Sequence, residues 1–556
     1  MLKLSKRMLS IFLAIMLFAL SFVQAGAVVS AEDAENAAQA AETVGMTENG
    51  ENTEKTEYEQ NEEVVNAAPR VDLRGAFHTL YYDAGTPEQR PAMSLDGGGA
   101  GVLEVLLEEL KGDIKTLVLD ATLGRWDDFS DKLTHYTDML LGVTAYDKNG
   151  EPVNEMNGDL NDNRWQLEEM FWWDIYSYDF DWRDDPMRQA DVLHEFIQKV
   201  KAKHGVEKVI LTAQSGSGHL GMAYLSKYGT KDLCGFNLRA SLHNGSSLFG
   251  DLVNKRVSIN DDAIADMTLY DDLGISQEIQ DKLIPIFKIL RDSELLRLVA
   301  ALGNRGVRKV IDKFYEDAVI PILLSQPVYW AYVPVADYED GIKEIFGKDA
   351  RTGEWAGLIK KLDTYHYGVK VRVNDILKDT GTKMRTSIMA NYGGTLAPLV
   401  ENAHVQADVL VDCVYASSGA TVAAPTKTLK GPFFGLKPYV QKVDCGHNHI
   451  SPDNVIDAST CALPETTWFF SGGDHFKIDE YGFNTWFFDA PEPQTVFTEE
   501  RYPQYLMADE ERLPIPMVVE EVERSFGDIM LQILVKLAGV IVFVFTWWFP
   551  PLTRII

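Results

Sequence analysis

From Arg70 to about residue 490, short apolar runs alternate with stretches whose apolar residues recur at helical spacing. The strand-like runs are 116–119 (TLVL), 175–180, 209–211, 236–242, 387–391, 409–415 and 467–470. Such alternation predicts an α/β domain. The stretch 186–203 opens with Pro and puts Val192, Leu193, Phe196, Ile197 and Val200 on one face, which predicts a helix covering a sheet. Residues about 245–380 break the alternation. They read mainly as amphipathic helices, among them 279–292 and 293–303, and predict a helical cap inserted in the sheet's connectivity. Within it Tyr329, Trp330 and Tyr332 form an aromatic group that is either ordinary core or a pocket wall.

The ends differ from this body. Lys3, Lys6 and Arg7 precede an apolar run with small-residue cleavage sites near Ala25 and Ala31, the pattern of a signal peptide over 1–31. Residues 32–69 are rich in Glu, Asn, Ala and Thr and predict an acidic disordered spacer. Residues 491–525 read as a linker. Residues 526–551 carry an apolar stretch long enough to span a bilayer, with Trp547 and Trp548 at its end and Lys536 inside it. A membrane anchor on an exported body is the expectation, with a surface-lying or packed helix as the alternatives.

The net charge of −31 and the lack of a basic stripe exclude nucleic acid as a partner. Four cysteines, Cys234, Cys413, Cys445 and Cys461, are too few for a disulfide scaffold. Cys445 and Cys461 are the closest pair, and four buried thiols are the equal alternative.

The chemistry centres on VILTAQSGSGHLGMAYLSKYG, residues 209–229. A strand, then Ser and Gly, then a helix is the form of a nucleophile elbow, usually G-x-S-x-G. Here Ser215 is flanked by Ala213 and Ser217, small but not Gly. A serine nucleophile needs a base, and the base needs an acid to fix its tautomer. In the order Ser, acid, His, the candidates are Ser215, Asp453 and His475, the last in a Gly turn after 467–470. Asp457, Asp474 and Asp444 are rival acids. His219 is poorly placed as a base. The N–H of Gly216 is the expected oxyanion donor, and Gln214, His243 and Trp330 are expected to border the substrate. His447 and His449 give only a weak metal signal, so neither a metal nor an organic cofactor is expected. A phosphate-binding loop would need a Lys in the turn, and Lys227 lies too far along the helix.

YDFDWRDDP (178–186) resembles a signature of lecithin:cholesterol acyltransferase-like α/β hydrolases, here in a bacterial secreted form. AQSGSG (213–218) is similar to that family's elbow. Asn391–Thr395 is similar to its Gly-rich turn, and Asp453–Ile456 and His475 to its acid and base positions. The resemblance covers roughly 170–480. It implies an α/β-hydrolase fold and cleavage of carboxylic esters with a lipid or other acyl group through an acyl-enzyme, with acyl transfer possible. It departs at the early strand and Pro-Gly that supply an oxyanion donor. The best substitutes are 116–126 and 94–101. That gap, with the non-Gly elbow flanks, motivates the alternative of a catalytically silent surface binding protein with the same fold. The oligomeric state is not legible.

Overall fold

A computed structural model describes residues 68–75, 78–93, most of 113–158, then 175–267, 295–429, 439–472, 475, 481–509 and 513–519. The strands in chain order are β1 (Arg70–Leu73), β2 (Leu80–Tyr82), β3 (Arg90–Met93), β4 (Ile175–Tyr178), β5 (Val209–Gln214) and β6 (Leu233–Arg239). They continue with β7 (Arg385–Tyr392), β8 (Thr421–Val422), β9 (Ile456–Asp457), β10 (Thr467–Ser471), β11 (Tyr505–Ala508) and β12 (Pro514–Pro516). Eight of them form one sheet in the order β12-β11-β10-β7-β6-β5-β1-β4, and two antiparallel pairs, β2-β3 and β8-β9, stand apart. Every neighbouring pair in the large sheet is parallel except β11-β12.

A parallel sheet buried on both faces needs near-continuous apolar strands, and side chains that alternate between faces. In β5, Val209, Leu211 and Ala213 enter one core, while Ile210 enters the other. In β10, Phe469 faces the first core, and Trp468 and Phe470 the second. Helix Tyr481–Asp489 covers the second face with Phe483, Phe487 and Phe488.

Parallel strands need long crossovers, and helices supply them. Helix Pro186–His204 links β4 to β5. Its side-chain cap is Asp185, which accepts from the Met187 N–H at 2.9 Å, and Pro186 starts the first turn. Its buried stripe is Gln189, Ala190, Leu193, Ile197 and Val200. Val192, expected on that stripe, is 44% exposed. Helix Gly218–Tyr228 links β5 to β6. At Gly218 an added Cβ would lie 1.7 Å from Oγ of Ser241, so the helix starts where only Gly fits unless Ser241 moves.

The helical insertion lies between the adjacent strands β6 and β7, as expected. Its described helices include Ser247–Val253, Leu295–Phe314, Pro327–Ala331, Val335–Phe346, Ala356–Gly368 and Val373–Gly381.

Three expectations are corrected, and one strand is added. Thr116, Leu117 and Leu119 are helical rather than a strand; a short apolar run does not separate the two states. The stretch 409–415 is a loop with a one-turn helix, Cys413–Ala416, and Val409 has φ 81°. β1 supplies an interior strand that the apolar pattern did not reveal. The supposed linker 491–525 contains β11 and β12, so the sheet extends to Pro516. Among the described residues no helix is long and apolar enough to cross a membrane. The expected signal peptide 1–31 and anchor 526–551 lie outside the described residues, as does almost all of the spacer 32–69.

Candidate active site

Ligands of open parallel sheets bind beyond the carboxyl ends of the strands, and here three side chains converge there. β5 ends at Gln214, and Ser215 follows with φ 52°, a left-handed conformation that Ser adopts only under constraint. The turn is held by Ser217. Its Oγ accepts the Gln214 N–H at 3.0 Å and lies 2.8 Å from Gln214 O and 2.9 Å from Leu73 O, which ties the elbow to β1. Ser217 therefore replaces the usual Gly by bonding its neighbours rather than by being small.

His475, after β10, places Nε2 2.8 Å from Oγ of Ser215. Its Nδ1 is 2.8 Å from Oδ2 of Asp408. Asp408 is fully buried, and its Oδ1 accepts the N–H of Val411 at 2.9 Å. His475 is nearly buried and Ser215 is half-buried, so the serine is the member that meets solvent. A small cavity beside His475 is lined by Arg239, Met389, Asn391 and Phe470.

Asp453 does not take the acid's place. Its carboxylate accepts from Tyr392 Oη at 3.0 Å, from the Val455 N–H at 3.0 Å and from Ser451 Oγ, so it closes a turn. Asp457 is likewise used, by Tyr439 and by the N–H groups of Lys442 and Ser459. Asp444 accepts from the Gly446 N–H, and Asp474 lies outside the described residues. The sequence does not single out Asp408, because it immediately precedes VLVDCVY, whose apolar run predicts a strand. Its signal was a single carboxylate at the edge of an apolar run.

Gly216 follows Ser215 and is buried. Its carbonyl accepts from Tyr332 Oη at 3.3 Å and faces Nδ1 of His219. The early segment that comes near Ser215 is VDLRG, residues 71–75. A Cβ added at Gly75 would lie 3.5 Å from Cβ and 3.9 Å from Oγ of Ser215, so the main chain after β1 passes beside Ser215. His78 braces this loop: Nδ1 is 3.0 Å from Gly75 O and Nε2 2.9 Å from Phe180 O. The stretch 178–186 supports it from behind. Trp182 donates its indole N–H to His78 O at 3.1 Å, and buried Arg183 clasps Asp181 through Nε at 2.8 Å and Nη2 at 2.7 Å. Of the substitutes named from sequence, 94–101 is outside the described residues, and the described part of 116–126 is largely helical.

The expected substrate contacts divide. Gln214 is half-buried next to Ser215. His243 is fully buried behind the elbow, with Nε2 2.7 Å from Ser418 Oγ, and burial first, then the Lys370 charge, pushes it down to about 3. Trp330 belongs to the core of the insertion. Its indole N–H donates to Leu324 O at 2.9 Å and its ring meets Tyr338 and Phe346. Tyr332 comes nearer the site than Trp330, because it touches the elbow through Gly216.

Behind the elbow, burial holds His219 down to about 4, helped by the Lys370 charge and opposed by the Gly216 carbonyl. Lys370 is itself buried, donates to Ala331 O at 2.6 Å and His243 O at 3.2 Å, and is pushed down to about 7 by desolvation. All four cysteines are free thiols, Cys445 exposed and Cys461 buried.

No family model matches the chain, and no curated protein or solved structure matches it.

Proposed function

We propose that the chain is a serine hydrolase of α/β-hydrolase type that cleaves carboxylic esters through an acyl-enzyme. The observation that carries the reading is the unbroken line Ser215 Oγ, His475 Nε2, His475 Nδ1, Asp408 Oδ2, with both gaps at 2.8 Å. Ser215 attacks the ester carbonyl while His475 takes its proton. Asp408 holds the Nδ1–H and stabilises the imidazolium that forms. The developing oxyanion is met by the Gly216 N–H and by the main chain beside Gly75. His475 then protonates the leaving alcohol. Water repeats the sequence in reverse to free the acid, or a second alcohol takes the acyl group.

The aromatic insertion packed on the elbow supports an apolar acyl group, as in a lipid ester. Export by 1–31 and tethering by 526–551 complete the proposal. The test is hydrolysis of p-nitrophenyl esters of rising chain length by the full chain and by Ser215→Ala. Activity lost in the variant supports the reading, and the best chain length sizes the acyl pocket. Equal inactivity of two folded proteins favours a ligand-binding protein without turnover.

A further inference from the structure

A second cluster of reactive side chains lies at the other end of the sheet from Ser215. Gln504, just before β11, donates its amide N–H groups to Pro464 O at 2.7 Å and to Thr467 O at 3.0 Å, where β10 begins. That fixes its Oε1 as an acceptor. Oε1 lies 2.8 Å from Nδ1 of His449, so Nδ1 carries the proton and Nε2 carries a lone pair. His449 is fully buried, and Nε2 has no hydrogen-bond partner among the described residues. A buried acceptor left unmatched is uncommon.

Cys445 and His447 supply what stands opposite. One ligand atom each from Cys445, His447 and His449 lies within 4.8 Å of the other two. Tetrahedral zinc with nitrogen and sulfur ligands needs separations of roughly 3.3–3.6 Å. Both Cys445 and His447 are exposed, so rotation of their side chains can close that difference. The segment is already shaped: the Gln441 side chain donates to Val443 O at 2.9 Å and His447 O at 2.8 Å, and accepts the His449 N–H at 3.0 Å. Glu465, 3.5 Å from Nδ1 of His447, adds negative charge beside the cluster.

We propose that Cys445, His447 and His449 bind zinc. Thiolate with two imidazoles is a donor set that suits this borderline-soft ion, and a buried imidazole whose other nitrogen is fixed by a second group is how such ligands are held. Water or Glu465 fills the fourth position. The site is structural: it clamps the loop from 439 to 449 onto the start of β10 and β11, and takes no part at Ser215. The sequence alone pointed away from a metal because nothing in it shows that His449 is buried with one nitrogen already committed.

The test is titration of the reduced, chelator-treated full chain with zinc against a chromophoric chelator, then with cobalt(II) read by absorption. One zinc per chain and a thiolate-to-cobalt charge-transfer band are expected. Cys445→Ser removes the band, and it and His447→Ala each weaken zinc binding by on the order of 100-fold with an unchanged fold, since both side chains are exposed. A folded wild-type chain that binds no more zinc than the Cys445→Ser, His447→Ala double variant overturns the proposal.

Discussion

Oδ2 of Asp408 lies 2.8 Å from Nδ1 of His475, across 67 residues of chain, and Asp408 has no exposed surface. The carboxylate is positioned by a loop that folds back after β7, through the pairings Gly394 with Ala407 and Leu396 with Val409. Asp408→Asn keeps the shape but favours the wrong tautomer of His475. A loss of roughly 10⁴ in kcat is expected. Asp453→Asn changes only the turn that meets Tyr392, and its kcat stays within about tenfold of wild type. Steady-state ester hydrolysis by the two variants decides the acid; the reverse ranking would restore Asp453.

The strained elbow gives a second prediction. Ser215 sits at φ 52°, a region that costs a side chain roughly 1–2 kcal/mol and costs Gly little. Ser215→Gly should therefore unfold at higher denaturant than Ser215→Ala, by about 1 kcal/mol, with both inactive. Chemical denaturation of the pair measures it, and equal midpoints would mean the turn is unstrained.

Arg183 is fully buried and its guanidinium is matched by Asp181, with the Tyr146 ring 5.2 Å away. Arg183→Met strands the buried carboxylate of Asp181. A loss of about 3–5 kcal/mol is expected. Because Trp182 and His78 carry this loop to Gly75, any folded fraction should also show a lower kcat with KM little changed. Denaturation and kinetics on the one variant check both parts.

How much of this was legible follows local chemistry. Ser215 and His475 stand in short patterns, a strand–Ser–Gly–helix and a Gly turn after an apolar strand, whose physics is local. Asp408 is not legible because its place beside His475 is set by a fold-back of the chain. β1 escaped because RVDL is short and carries two charged residues, although it is an interior strand. Aromatic content cannot distinguish a pocket wall from the core of the insertion, where Trp330 lies.

Stability should depend on pH through buried groups behind the elbow and, for His366 in helix Ala356–Gly368, stacked on Tyr338, in the insertion. His219, His243 and His366 are held down to about 4, 3 and 4, chiefly by burial. The unfolded chain therefore binds more protons than the folded one below its ordinary value of about 6.5, so stability is present above that pH and is lost as pH falls toward 4. Lys370, held down to about 7, acts in the same direction at higher pH: stability rises from about pH 7 toward its unfolded value near 10.4. Lys370→Met should flatten the slope of stability between pH 7 and 9.5 and shrink the acid limb without removing it, since burial holds the histidines down more than the Lys370 charge does. Urea midpoints across that range test it, and an unaltered slope would exclude Lys370 as its source.

The most direct measurement is labelling of the folded full chain with a fluorophosphonate, with the adduct located by peptide mass. One adduct is expected, on Ser215, absent in Ser215→Ala and formed far more slowly in His475→Ala and Asp408→Asn. A folded wild-type chain that takes no adduct at Ser215, or labels as fast without His475, would contradict the account.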